Sequence, residues 1–133
     1  MSGSFGKSYV YSEFPHASRP FDKGGDDVSL ARYREVGLKK IVTDVLERAG
    51  VARRFAQTVA DSLIHADLRG VESHGVSRLP VYLKRIETGR IDCRREPVLT
   101  MQNGAVARLD GGNQLGAVVG QAAMGHALAL ARQ

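Results

Sequence analysis

The sequence predicts a helix-rich α/β chain, and three observations carry that prediction. Apolar residues recur at helical spacing in three stretches, each closed by a glycine. A short alternating run between residues 105 and 109 reads as a strand. A fourth helical stretch, residues 115–133, is apolar on nearly every side.

The elements follow in order. Residues 1–27 are punctuated by Gly, Ser, Pro and Asp without helical period, and read as a disordered extension. They nevertheless hold Phe5, Tyr9, Tyr11, Phe14 and Phe21, which would suit an arm docking on a neighbouring subunit. From Val28 the pattern changes. Leu38, Ile41, Val42, Val45 and Leu46 repeat at i, i+3, i+4, i+7 and i+8, predicting a first helix from near Arg32 to Gly50. Phe55, Val59, Leu63 and Ala66 mark a second, from about Ala52 to Leu68, with Gly70 beyond it. So short a connection predicts that the two pack antiparallel. Leu79, Tyr82, Leu83 and Ile86 mark a third helix. Pro80 is tolerated only in a first turn, so this helix starts near Ser77 and stops at Gly89, with His74 on the entering turn.

Residues 90–104 read as loop with a short extended piece at residues 97–101, and residues 105–109 as the strand. Asp110-Gly111-Gly112-Asn113 is a turn. Its glycines do not match a dinucleotide-binding spacing, so a tight strand-to-helix connection is the better reading than a phosphate cradle. In the fourth helix Gly116 and Gly120, four apart, allow a close backbone approach. One strand and three amphipathic helices cannot cover so apolar a helix. The expectation is therefore the N-terminal part of a longer protein, or half of an obligate assembly.

Composition narrows the function. The chain has 133 residues, 43% of them hydrophobic and 25% charged, as in ordinary globular domains. No apolar run approaches the 18 or so residues of a membrane span, and the N-terminus lacks a signal peptide's apolar core of about 7–15 residues. The single cysteine, Cys93, forms no intrachain disulfide and suits a reducing compartment, so a cytoplasmic protein is expected. Residues 1–27 carry three basic and four acidic side chains, so the remainder carries a net charge of +6. Such a body attracts anions. Its basic residues come in scattered pairs (Lys39-Lys40, Arg53-Arg54, Lys84-Arg85, Arg94-Arg95), and only Tyr33, Phe55 and Tyr82 are aromatic. A small basic helical module for interaction or nucleic-acid binding is thus the alternative function, with neither stripe nor stacking platform behind it.

His74, Arg78 and Tyr82 are spaced i, i+4 and i+8, which on one helix would align them. An imidazole, a guanidinium and a phenol together suit a small oxo-acid. Arginine grips a carboxylate through paired charge-assisted bonds, histidine moves a proton near neutral pH, and tyrosine orients the same oxygen. From spacing alone the plainer reading is a helix-entry histidine, a solvated arginine and a core tyrosine, since three residues make a weak motif. His65 and His126 have no partner at metal-ligand spacing, and Cys93 has no base in its segment, so no metal site is expected and Cys93 is read as inert.

The stretch Ala66-Asp67-Leu68-Arg69-Gly70-Val71-Glu72-Ser73-His74-Gly75-Val76-Ser77-Arg78-Leu79 resembles the signature of the malate/L-lactate dehydrogenase family, the group unrelated to the Rossmann-fold enzymes of similar name. The resemblance extends from about Val28 to the end, through Ala49-Gly50, Tyr82, Gly89, Leu109-Asp110-Gly111 and Leu115-Gly116. It implies a mixed-sheet, non-Rossmann fold of which this chain supplies the leading helices and one or two strands. It implies an NAD- or NADP-dependent oxidoreductase of 2-hydroxy and 2-oxo acids, or of equivalent C=N bonds, with a small carboxylate substrate. By the same resemblance His74 is the proton donor and acceptor, Arg78 the carboxylate clamp and Tyr82 a pocket-lining residue. The family's central segment, with a further histidine, a lysine and most cofactor contacts, has no counterpart among these residues. No cofactor-binding residue is assigned, and the chain alone is expected to be inactive. A homodimer is expected for the full-length protein.

Overall fold

The computed structural model describes residues 33–132. The extension read at residues 1–27 lies outside them. Four helices and one hairpin follow in order: α1 Glu35–Arg48, α2 Arg53–Leu68, α3 Leu79–Glu87, β1 Val98–Asn103, β2 Val106–Asp110 and α4 Gly116–Leu130. Two single 3₁₀ turns, Glu72–His74 and Val76–Arg78, join α2 to α3.

The first three helices end on one device. In α2, Gly70 adopts φ +74°, its N–H donates to Asp67 O, and the Val71 N–H reaches back to Ala66 O at 2.9 Å. This Schellman pattern satisfies the last carbonyls and needs a residue that tolerates positive φ. Gly50 closes α1 and Gly89 closes α3 in the same way. All three endings match the sequence expectation. The helix starts are less regular: no side chain caps α1 or α2, and Pro80 sits in the first turn of α3 as its missing N–H requires.

The core lies between α1 and α2. Val42 and Leu46 meet Phe55, Ala56, Val59, Ala60 and Leu63, with Val51 at the connection. Surface ion pairs fix the direction. Lys39 pairs with Asp61, and Glu47 with Arg53. The pairs run in opposite order along the two helices, so they are antiparallel, as the short connection predicts. Leu79 at the start of α3, Leu115 and Val118 at the start of α4, and Cys93 complete the core, and Tyr82, Leu83 and Ile86 pack against it.

The extended segments pair in a way their separate reading did not anticipate. β1 and β2 form an antiparallel two-stranded sheet, closed by Gly104-Ala105 with Gly104 at φ +55°. A glycine at positive φ in the first central position is the type II′ arrangement, whose twist matches a hairpin. Leu99 faces Leu109 while Met101 faces Arg108, so Thr100 is an extra, bulged residue, and its hydroxyl donates to Arg108 O at 3.1 Å.

The last helix, apolar on nearly every side, is little covered by the rest of the described chain. It has one buried residue, Val118, and leaves Met124 59% and Leu128 52% exposed. Only its first turns dock, against α2 and β2. Among the described residues nothing makes the close approach that Gly116 and Gly120 allow, since a Cβ built on either meets nothing within 4 Å. The described residues contain no surface to cover the outer face of α4. Among them, no helix is long and apolar enough to cross a membrane.

Candidate functional site

The candidate residues sit on the link between α2 and α3. His74 ends the first 3₁₀ turn, Arg78 ends the second and serves as the N-cap residue of α3, and Tyr82 lies within α3. They are not aligned on one helix. Gly75, at φ −86° and ψ −155°, is extended and breaks the helical path between His74 and Arg78. The i, i+4, i+8 line assumed continuous helix; the segment is two short turns with a joint.

Each turn is tied locally. Ser77 Oγ donates to Glu72 O at 2.6 Å, bracing the second turn on the first. Ser73 Oγ lies 3.0 Å from His74 Nδ1, within hydrogen-bonding distance. Asp67 ties the joint to α2, its Oδ2 accepting the Val76 N–H at 2.9 Å. Gly75 is buried, and a Cβ there would overlap the Asp67 carboxylate, so only glycine fits. His74 is exposed, Arg78 half-buried, and Tyr82 half-buried against the core. Asp67 and Ser73 were not singled out by the sequence reading. The signal for Asp67 was present: an acid in the last turn of a helix faces the negative end of the dipole and needs another reason to be there.

The other candidates are dispersed. His65 is exposed on α2 and His126 on α4. Among the described residues, no three His, Cys, Asp or Glu side chains gather as a metal site would require. Cys93 is buried, with its Sγ 3.6 Å from Gly50 O, and acts as a small core residue. Several basic side chains are matched to acids: Lys39 to Asp61, Lys40 to Asp44, Arg53 to Glu47, Arg54 to Glu96 and Lys84 to Glu87.

The Asp110–Gln114 connection is a closed turn. The Gly112 N–H donates to Asp110 Oδ1, the Gln114 N–H to Gly111 O, and the Leu115 N–H to Gln114 Oε1. Gln114 Nε2 donates to Arg95 O at 2.8 Å, and the Arg95 side chain lies over Gly112. A phosphate cradle needs free N–H groups, and these are consumed. This turn therefore presents no open phosphate cradle.

Comparison with known proteins agrees with this architecture. A family model for malate/L-lactate dehydrogenase matches residues 34–133. A malate dehydrogenase of Pyrococcus abyssi is 40% identical over 113 residues, covering 85% of this chain and 31% of that protein. The NAD(+) ureidoglycolate dehydrogenase of Escherichia coli K12 is 35% identical over 96 residues, covering 72% of this chain and 28% of the enzyme. The solved structure of malate dehydrogenase from Pyrococcus horikoshii OT3 superposes with a TM-score of 0.77 at 38% identity, covering 84% of this chain and 32% of that one. The chain thus spans about a third of the length of the relatives it matches. Matched along three quarters of its residues by the family model and along 84% of them by the solved relative, the chain belongs to the malate/L-lactate dehydrogenase family.

Proposed function

We propose that this chain supplies the acid–base and carboxylate-binding part of an NAD- or NADP-dependent oxidoreductase acting on small 2-hydroxy and 2-oxo acids. One observation carries the reading: within a chain matched to hydroxy-acid dehydrogenases, His74 and Arg78 stand on adjacent tied turns, separated by a joint that only glycine can occupy. Reduction of a 2-oxo acid builds negative charge on the carbonyl oxygen, which a proton donor and a nearby cation stabilise. His74 exchanges that proton. With the Ser73 hydroxyl held against Nδ1, Nε2 is the nitrogen left to face substrate. Arg78 holds the carboxylate through its planar fork, and Tyr82 lines the pocket beside it. The nicotinamide is assigned to no described residue, and no step is derived through it. A homodimer and a cytoplasmic setting belong to the same proposal; the buried thiol of Cys93 suits a reducing compartment. The nucleic-acid alternative is not favoured, since the basic pairs are scattered along the chain and five of their cations face acids.

The test is a chain in which residues 34–133 replace the matching third of the P. horikoshii enzyme, assayed with malate, lactate and their 2-oxo acids. Turnover is expected in the hybrid and absent from the 133-residue chain alone. His74→Ala should lower kcat about 10²–10⁴-fold. Arg78→Ala should chiefly raise KM for the carboxylate. A His74→Ala enzyme within about twofold of the parent kcat would reject the proton-transfer role.

A further inference from the structure

Asp67 is misplaced as a helix residue. It stands in the last turn of α2, where a carboxylate gains nothing from the dipole. Its contacts lie eight and nine residues downstream. Oδ2 accepts the Val76 N–H at 2.9 Å, and the carboxylate occupies the space beside the Gly75 Cα. Gly75 in turn accepts the Arg78 N–H at 2.9 Å through its carbonyl, and its own N–H donates to Glu72 O. Asp67 therefore grips the one joint between the turns of His74 and Arg78, and anchors it to a helix whose inner face is core.

We propose that Asp67 is a positioning residue that sets the separation and relative orientation of His74 and Arg78. The inference rests on the reading of those two as the substrate pair. A carboxylate is suited to the task because it is acceptor-only, so one oxygen takes the Val76 N–H while the group as a whole sits flat against a residue without a side chain. Gly75 is the complementary half of the latch. Its φ is ordinary, so the requirement for glycine there is one of space and not of backbone strain.

Two measurements test the latch. In the 133-residue chain, amide hydrogen exchange at Val76 should accelerate at least about tenfold in Asp67→Ala, and stay near the parent rate in Asp67→Asn, whose amide oxygen can accept the same N–H. In the hybrid enzyme, Asp67→Ala should lower kcat/KM about 10–100-fold, as misplacement of a catalytic pair does, while Asp67→Asn stays within about threefold. Gly75→Ala should match the loss in Asp67→Ala. The double variant Asp67→Ala/Gly75→Ala should lose no more than Asp67→Ala alone, because both changes break the same latch and the new methyl then has room. Unchanged kcat/KM in Asp67→Ala overturns the proposal, whatever Val76 exchange does. Unchanged kinetics in both His74→Ala and Arg78→Ala would strike the parent reading instead, and Val76 exchange alone would then decide whether Asp67 holds the joint.

Discussion

The helical head of this chain and its tail end in opposite states: the amphipathic helices of the head bury their apolar stripes, while α4, apolar on nearly every side, leaves most of its surface open. In the head, the stripes of α1 and α2 close on each other, and Val42, Leu46, Val59 and Leu63 are essentially inaccessible. In the tail, Val98, Met101 and Val106 of the hairpin and Met124 and Leu128 of α4 stand in water. A groove of about 420 Å³ runs between the hairpin and α4, lined by Ala105, Val106, Ala107, Ala123, Ala127, Leu130 and Ala131. The difference is one of partners, since the more apolar helix is the more exposed one. An apolar stripe predicts which face a helix will bury only where the chain also supplies the surface that buries it.

The comparison can be broken most directly by deleting the same side chain in each region. Leu46→Ala should cost about 2–5 kcal/mol, the range for leucines in filled cores. Leu128→Ala, half in water already, should stay within about 0.5 kcal/mol, as surface changes do. Urea unfolding of both variants measures the contrast, and equal losses would mean that the tail is as well packed as the head. Glycine replacements sharpen it at a smaller scale. Gly70→Ala forces an L-residue to φ +74° and should destabilise by about 1–2 kcal/mol. Gly120→Ala, in an open stretch of helix, should stabilise by about 0.5–1 kcal/mol. A loss at Gly120 would reveal a close neighbour for α4 in solution. The smallest effect is expected at the ion pairs that decorate the head. Lys40→Ala removes the exposed pair with Asp44 and should change stability by less than about 0.5 kcal/mol, which would leave the apolar seam as the source of the head's stability.

What could be read in advance follows the same division. Helix ends were legible because a glycine at C′ acts locally: Gly50, Gly70 and Gly89 each stop a helix whatever surrounds it. The antiparallel α1–α2 pair was legible because both stripes and their short connection lie within 34 consecutive residues, Glu35 to Leu68. The hairpin was not, although Gly104-Ala105 between two extended runs carries the Gly-X signal of a type II′ turn, because neither short run by itself specifies its partner. At the candidate site the identities of His74, Arg78 and Tyr82 were legible and their arrangement was not. Helical spacing presumes a helix, and Gly75 interrupts it. Asp67 escaped notice because its role is tertiary: a residue of one helix braces a turn nine positions on.

Cys93 has a use that its inertness conceals. It is the chain's one thiol, 6% exposed, seated under the α1–α2 connection where the loop toward the hairpin leaves the head. A thiol reagent in solution can reach it only when that seam parts. The rate at which the chain is labelled is therefore a clock for the opening of head from tail. It runs without an engineered probe, and any polypeptide that settles on the tail and tightens the seam will slow it.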